Sequence, residues 1–410
     1  MRPILLSLLA AALLAQGQGV QQTQQTQQSQ QAQPSQKAHT LPLQREGAEW
    51  TAVESGTLPA RGLTRLRVNS IGAVTVTGVD APNIEDRLLR RARANDEGQA
   101  RRLTSLLNLR YERLNGVPTI TLHAEPGGNR APQLELRVPR RLLDTHVFTQ
   151  TGALTFDQLT GTVTGETGGG PLQVVSVEGS VNLTTGGGPV EIGSVRGNMR
   201  CLTAGGPIHV RRVDGESWLE TGGGDVIVDE AMARIHASTG AGNVEIARAR
   251  ANVSARTLGG VIKVLEAGGL VNAHTGGGGI QVGSARGVQC DSVAGGVRLR
   301  NVSGPINVST AAGSILAEWA GGVRMENSIL NSASGDITVV LPSRLAVTIQ
   351  AMNELPGKYG RIVSEFSEIR VLPVIAPVRG PVLAEGALNG GGPILRVAAS
   401  RGTIFLRRKE

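Results

Sequence analysis

The chain has 410 residues, of which only 2% are aromatic and 56 are glycine, and this composition excludes an ordinary globular core filled by Phe, Tyr and Trp. The formal net charge of +8 favours anionic partners, such as lipid head groups or acidic polysaccharide. No nucleic-acid partner is expected, because the basic residues are scattered and stacking aromatics are nearly absent.

Residues 1–17 have the pattern of a secretory signal peptide. Arg2 precedes an apolar run from Ile4 to Ala15, and the small residues Ala15 and Gly17 suit a cleavage site. The run is too short to span a bilayer, and no later stretch is long and apolar enough to do so. The chain is therefore expected to be exported to the periplasm, the cell surface or the medium.

A glutamine-rich segment follows the signal pattern, and a β-rich region follows that segment. Residues 18–45 are polar and repetitive, which predicts a disordered linker. Residues 46–148 predict an N-terminal cap of strands with one short helix. In this cap Gly72 turns a strand pair, Asn95-Asp96 begins the helix, and Asn115-Gly116 closes a hairpin.

A repeat of eighteen residues occupies 149–342. Such a period is typical of a solenoid, and apolar residues that alternate on both sides of a corner predict two short strands per rung. We therefore predict an all-β fold, a single-stack β-solenoid with about 18 residues per rung and atypical capping rungs over 343–410. The last rung is expected at 390–406. The clearest column of the repeat consists of Thr167, Thr185, Thr203, Thr221, Thr239, Thr257 and Thr275.

The turn that follows each threonine is rich in glycine. We expect the threonine hydroxyls to form a ladder, in which each bonds its neighbour or the turn backbone. The glycine triplets 168–170, 186–188 and 222–224 are expected to take positive φ at sharp corners. The period slips by one residue over 288–302 and becomes irregular over 313–334.

The two cysteines of the chain, Cys201 and Cys290, fall in one inward column of the repeat. Five rungs separate them, which corresponds to roughly 24 Å at the spacing of neighbouring strands. A disulfide tolerates about 7 Å between Cα atoms. The repeat therefore predicts two buried free thiols.

The chain resembles the bacterial putative-adhesin family of exported β-solenoid proteins. The matching segments are LRVN and GAVTV at 66–69 and 72–76, LELRVP at 134–139, TGAL at 151–154, and the closing stretch at 390–406. The resemblance covers nearly all of the mature chain. It implies the fold, an exported location and, by the family's name, an adhesive surface role, and it brings no catalytic residues.

Two alternative repeat architectures are excluded by the columns. Calcium-binding repeats need an aspartate in series after the glycines, whereas only Asp225 follows a glycine run closely. Hexapeptide helices need a small apolar residue every six positions, and Glu178, Arg196 and Asp214 occupy those places. No cofactor, metal site or catalytic residue is predicted.

The outward columns are the remaining place for function. The expected function is that of a non-enzymatic, adhesin-like surface or envelope protein that binds anionic polysaccharide, lipid head groups or another surface protein. A polysaccharide-active enzyme that uses Glu178 and Asp214 beside Arg196, and a purely structural spacer, are the alternatives. The candidate binding surface consists of Arg196, Arg200, Trp218, Arg250 and Arg286.

Overall fold

The computed structural model describes residues 36–40, 42–125, 132–322, 325–355, 360–372 and 380–409. The predicted signal peptide and most of the predicted linker lie outside the described residues. In the described part of the chain, no helix is both long enough and apolar enough to cross a bilayer.

The N-terminal region is mostly β-structure with one short helix. Its elements are β1 (Gln36–Thr40), β2 (Gln44–Glu46), β3 (Glu49–Pro59), β4 (Arg65–Ser70), β5 (Ala73–Val79), β6 (Asn83–Arg93), α1 (Glu97–Ser105), β7 (Leu107–Leu114), β8 (Val117–Ala124) and β9 (Gln133–Pro139). The linker predicted over 18–45 is therefore wrong at its C-terminal end. There β1 and β2 pair antiparallel with β3, because β3 would otherwise expose an unpaired edge.

The repeat folds into two parallel sheets that enclose one core. The first sheet takes one strand of each rung: β11 (Leu154–Leu159), β13 (Leu172–Val177), β15 (Val190–Val195), β17 (Ile208–Val213), β19 (Val226–Ala231), β21 (Val244–Ala249), β23 (Ile262–Ala267), β25 (Ile280–Ser284), β27 (Val297–Val302), β29 (Ile315–Trp319) and β31 (Ile337–Pro342). The second sheet takes the other: β10 (Asp144–Thr149), β12 (Thr162–Thr167), β14 (Val181–Thr185), β16 (Met199–Thr203), β18 (Ser217–Thr221), β20 (Ile235–Thr239), β22 (Val253–Thr257), β24 (Leu270–Thr275), β26 (Gly287–Ser292), β28 (Ile306–Thr310) and β30 (Ser328–Ser334).

The strand register confirms the all-β solenoid and its rung length. Val190 pairs with Leu172 one rung earlier, a step of eighteen residues, and this step recurs down both sheets. The step shortens by one residue where Val271 pairs with Val288. It lengthens where Ile315 pairs with Ile337, across the predicted irregular rung. Most side chains in the inward columns are buried and aliphatic, so each packs against side chains of the same kind on the neighbouring rungs.

The threonine column is a ladder of hydrogen bonds between side chains and the backbone. Thr185 Oγ1 donates to the carbonyl of Gly170 on the previous rung at 2.9 Å and accepts from Gly188 N–H of its own turn at 3.1 Å. The same two bonds recur at each of the other six threonines. Each hydroxyl therefore joins two rungs through the turn backbone, one of the two arrangements expected.

We call the corner after each threonine the glycine corner. Its glycines are required for a different reason from the one predicted. None of the triplets at 168–170, 186–188 and 222–224 has a positive φ, so that expectation is wrong. The constraint is close backbone approach between rungs. A Cβ on Gly188 would overlap the carbonyl oxygen of Gly170, whereas one on Gly187 would meet nothing within 4 Å.

The cysteines behave as the register predicts. Cys201 and Cys290 are buried and free, and they share a column with Leu219, Ala237 and Ala273. Burial raises the pKa of Cys201 to about 12 and also raises the pKa of Cys290. Both thiols are therefore protonated and unreactive in the native fold.

The N-terminal cap ends the stack by adding antiparallel strands to both sheets. Beneath β4 and β5 lie β8 and β9, and β6, β3 and β7 then pair antiparallel outside them. Asp96 caps α1 by accepting from Gln99 N–H at 2.8 Å, as the Asn95-Asp96 pair predicts. Asn115 and Gly116 take positive φ in the β7–β8 turn, as a two-residue hairpin requires.

Buried charge in the described residues is concentrated in this cap. Burial raises the pKa of Asp86, which bonds the Tyr111 hydroxyl, and the pKa of Tyr111 is raised as well. Arg90 forms an ion pair with Glu54 and donates to the carbonyl of Thr104 at 2.9 Å. These contacts connect β3, β6, α1 and β7 at the end of the core.

The C-terminal region closes the other end through an inserted strand. It contains β32 (Val347–Asn353), β33 (Gly360–Ser364), β34 (Arg370–Leu372), β35 (Val382–Leu388) and β36 (Ile394–Lys409). The first half of β36 pairs with β30 and its second half with β31, so this one strand forms a complete rung. Because β32 and β33 pair with its other side, the predicted last rung at 390–406 is not last in space.

Candidate functional site

The outward face of the second sheet carries the exposed aromatic residue singled out from the sequence. Trp218 lies on β18 and has 45% of its surface exposed. Its inward neighbours on the same strand, Ser217 and Leu219, are buried, which fixes the indole on the outer face. In strand register Arg200 lies on one side of Trp218 and His236 on the other.

Trp218 and His236 form a stacked pair, which we call the aromatic platform. Their ring centroids lie 4.7 Å apart and their planes differ by 13°. The spacing follows from the register, because neighbouring parallel strands place equivalent side chains about 4.8 Å apart. The platform is thus a direct product of two flat side chains in adjacent rungs of one column.

The platform is bordered by a carboxylate and by polar side chains. Glu216 Oε1 lies 3.9 Å from His236 Nε2 and 3.4 Å from the Arg234 guanidinium. Glu216 contacts the edge of the imidazole ring, so the face of the imidazole remains stacked against the indole. The outward column continues on both sides of the platform with amide, hydroxyl and guanidinium groups: Asn182, Arg200, Ser254, Asn272, Gln289 and Asn307.

The five candidate residues are all exposed but are not brought together at one point. Arg200 and Trp218 are direct neighbours, and Arg196 precedes Arg200 on the same rung. Arg250 and Arg286 occupy the corner between the first and second sheets, which we call the variable corner. They lie three and five rungs beyond Arg196, about 14 and 24 Å along the axis.

Ion pairing separates these arginines into two kinds. Arg196 is paired with Glu178, with 3.0 Å between the guanidinium and the carboxylate. Arg200, Arg250 and Arg286 have no acidic partner within the residues that the structure describes. The charge available to an anionic partner therefore comes from three of the four candidate arginines.

The carboxylates of the enzymatic alternative are both occupied by ion pairs. Glu178 pairs with Arg196, and Asp214 pairs with Arg212 at 3.0 Å. The two acids lie two rungs apart with Arg196 between them. In the described part of the chain, no group of three or more His, Cys, Asp or Glu side chains is arranged to hold a metal ion.

The first sheet carries a ladder of alternating charge on its outer face. Glu230 lies between Arg212, at 2.6 Å, and Arg248, at 3.5 Å, and Arg248 also contacts Glu266 at 3.4 Å. Each acid is matched by a base one rung away. This stretch of the first sheet is therefore neutralised, in contrast with the column of the aromatic platform.

Comparison with known proteins finds similarity in solved structures only. No protein-family model matches the sequence, and no curated protein matches it. A structure described as a putative cell adhesion protein from Clostridium sporogenes is 10% identical, and the match covers 87% of this chain and 100% of that one, with a TM-score of 0.14. A putative adhesin from Bacteroides fragilis is 12% identical over 67% of this chain and 96% of that one, with a TM-score of 0.23.

Two features of this surface were missed at the level of sequence. The sequence predicts that Trp218 belongs to the outward surface, but it does not predict the stacking of Trp218 on His236 or the contact of His236 with Glu216. Adjacent aromatic and imidazole side chains at a spacing of eighteen were the available signal. The arginines of the cap were not considered as a group, because Arg61, Arg65 and Arg113 are far apart in sequence.

Proposed function

We propose that the protein is an exported, non-enzymatic binding protein of the cell surface or envelope, and that its second sheet holds anionic glycan chains. The aromatic platform is the observation that carries this proposal. Water solvates the apolar indole poorly, and stacking against the His236 imidazole fixes the orientation of an indole that is 45% exposed. Such a rigid aromatic side chain is the common energetic centre of a binding surface.

A glycan fits the platform better than a protein partner does. The C–H face of a sugar ring is apolar and flat, and its hydroxyls point to the sides, where Asn182, Ser254 and Asn272 offer amide and hydroxyl groups. A stable protein interface would need a broader buried apolar centre. Around Trp218 the column is polar in both directions, so one ring at a time can stack there.

The free arginines favour an anionic polymer over a neutral one. Arg200 adjoins the platform, and Arg250 and Arg286 lie farther along the variable corner. A long acidic chain can contact all three at once, and several weak contacts on one chain combine into strong retention. The repeat therefore contributes to binding by fixing the spacing between attachment points.

The test measures retention of the purified protein on immobilised polysaccharides. We expect retention on acidic polysaccharide that weakens with salt, and weaker retention on a neutral glucan. Trp218→Ala should lower the affinity about 10- to 30-fold, because it removes the stacking surface. Replacing both Arg250 and Arg286 by Glu should reduce the salt-sensitive part of the binding.

Phe148→Ala is the matched control, since Phe148 is a similarly exposed aromatic residue on the second sheet outside the platform. It should bind glycan as the parent protein does. Failure of the parent protein to bind any polysaccharide, or equal binding by Trp218→Ala, would contradict the proposal. Undiminished envelope association of Trp218→Ala in cells would favour the structural spacer instead.

A further inference from the structure

A cavity in the N-terminal cap opens on the same side of the molecule as the variable corner. Its volume is about 770 Å³. The tip of the β7–β8 hairpin forms one wall, the loop before β4 forms another, and the first residues of β10 and β12 form the floor. The lining residues that matter here are Arg61, Arg65, Arg113, Asn115, Asp144 and Thr162.

The fold brings three arginines to this cavity from separate segments. Arg65 begins β4, and register pairing places Asp144 of β10 beside it and Thr162 of β12 beyond. Arg61 lies in the preceding turn, which Leu63 N–H closes onto the carbonyl of Ala60 at 3.0 Å. Arg113 is held at the hairpin tip by its pairing with Pro118.

These three arginines differ from the other arginines of the cap. Arg87, Arg90 and Arg137 each have a glutamate partner. By contrast, no ion pair or side-chain hydrogen bond engages Arg61, Arg65 or Arg113 within the described ranges. Asp144 is the one acid that lines the cavity, and it has no cation within ion-pair distance there.

A cavity with three positive charges and one negative charge attracts an anion. Guanidinium groups bind carboxylate and phosphate oxygens through paired, charge-assisted hydrogen bonds, which are stronger than bonds between neutral groups. An oxyanion placed between the three arginines would also relieve their mutual repulsion. Thr162 and Asn115 supply neutral polar groups that suit a sugar hydroxyl.

We propose that this cavity, the arginine cavity, binds an anionic substituent of a sugar, a carboxylate or a phosphate, and is a second anchor for the polymer held by the aromatic platform. The inference rests on the proposed function. The column of the platform runs from Trp218 through Arg200 and Asn182 to Thr164, which is two residues from the cavity floor on β12. Three rungs separate Trp218 from Thr164, about 14 Å.

The path between the two anchors suits an extended chain along the solenoid axis. Thr164 and Asn182 are neutral hydrogen-bonding residues, and Arg200 adds a charge next to the platform. No residue of this path is a bulky exposed aliphatic group. A polymer that lies along the column therefore meets an oxyanion site at one end and a stacking site at the other.

The experiment compares short anionic probes with the acidic polysaccharide of the retention test, and all are measured on the whole protein. Trigalacturonate, titrated by calorimetry, is the short carboxylate probe; a phosphorylated mannose oligosaccharide is the phosphate arm, and vesicles with anionic head groups are the lipid arm. Replacing Arg61, Arg65 and Arg113 together by Ala should weaken the short acidic probe about tenfold or more, because charge-assisted bonds are lost. Trp218→Ala should leave binding of the short probe unchanged.

The matched control replaces Arg256, Arg298 and Arg300 by Ala. These arginines are exposed and lie away from the cavity, Arg256 on β22 of the second sheet and Arg298 and Arg300 on β27 of the first, and their replacement changes the net charge by the same amount. The control should bind the short probe within twofold of the parent. The single variant Arg113→Glu, at the exposed hairpin tip, gives a charge reversal that does not depend on the folding of the triple variant, and it should also weaken the probe.

The outcomes separate this inference from the proposed function. Equal losses in the cavity variant and its control would show general charge attraction and overturn the inference, as would unchanged binding in the cavity variant. If long polymer binds and depends on Trp218 while the short probe does not bind at all, the proposed function stands and the inference fails. Preference for vesicles over both sugars would also overturn it.

Discussion

The two corners of each rung follow different rules, although the same rungs stack at both. At the glycine corner, Thr185 and its equivalents bond the backbone of two rungs, and Gly188 and its equivalents leave no space for a Cβ. At the variable corner, the equivalent position holds Glu178, Arg196 or Asp214, all at the surface. The glycine corner keeps a glycine at this contact in successive rungs, whereas the variable corner carries side chains of different charge.

This difference shows where a repeat protein can acquire function. Backbone groups that approach within hydrogen-bond distance leave no choice of side chain, so the glycine corner repeats with little variation. Side chains that point to solvent have no such constraint. The aromatic platform and the free arginines lie on or beside the variable corner for this reason. The following substitutions test the contrast, from the largest expected effect to the smallest.

Gly188→Ala should be the most damaging of these changes. The added Cβ would overlap the carbonyl oxygen of Gly170, so two rungs must separate, at a cost of about 3 kcal/mol in the free energy of unfolding. Gly187→Ala is the control, because a Cβ there meets nothing within 4 Å and should change stability by no more than about 0.5 kcal/mol. Urea unfolding measures both; equal losses would contradict the contact explanation.

Thr203→Val should cost about 2 kcal/mol, because it leaves the Gly206 N–H and the Gly188 carbonyl without their hydroxyl partner. The shape of the side chain is otherwise kept. Thr203→Ser should retain most of the stability, since Ser292 makes the same two bonds in a later rung. If Val and Ser destabilise equally in thermal unfolding, the ladder contributes through packing and not through hydrogen bonds.

Gly215→Ala tests the variable corner at its own glycine. A Cβ on Gly215 would also crowd the previous rung, at Gly197, yet Ala233 and Ala251 occupy the same column in the next two rungs. This corner has therefore already adjusted to a methyl group, and we expect a loss of about 1 kcal/mol. A loss as large as that of Gly188→Ala, in the same urea assay, would remove the distinction between the corners.

Glu230→Gln should have the smallest effect. It breaks the contacts with Arg212 and Arg248 on the first sheet, which are solvent-accessible, and we expect a loss of about 0.5 kcal/mol that shrinks at high salt. Glu220→Gln, at an exposed glutamate on the second sheet, is the control and should show no salt dependence. A loss from Glu230→Gln that persists in 1 M salt would indicate a packing role for this side chain.

Helix-capping and turn rules predicted the structure correctly where a few adjacent residues determine it. Asn95-Asp96 predicted the start of α1, and Asn115-Gly116 predicted the β7–β8 turn, because capping and turn geometry depend on a few adjacent residues. The same rules gave no indication of β6, whose charged sequence alternates only partly. Its strand forms because β3 and β9 pair with it on both sides.

The period of eighteen determined most of what the sequence alone could determine: two strands per rung, the inward columns, the separation of Cys201 from Cys290, and the outward position of Trp218. Parallel stacking makes this possible, since each rung repeats the register of the one before. Only the tertiary structure decided the insertion of β36, the stacking of Trp218 on His236, and the arginine cavity. The insertion of β36 and the arginine cavity join segments at sequence separations that no period relates, and the ring stacking depends on side-chain orientations that the period does not fix.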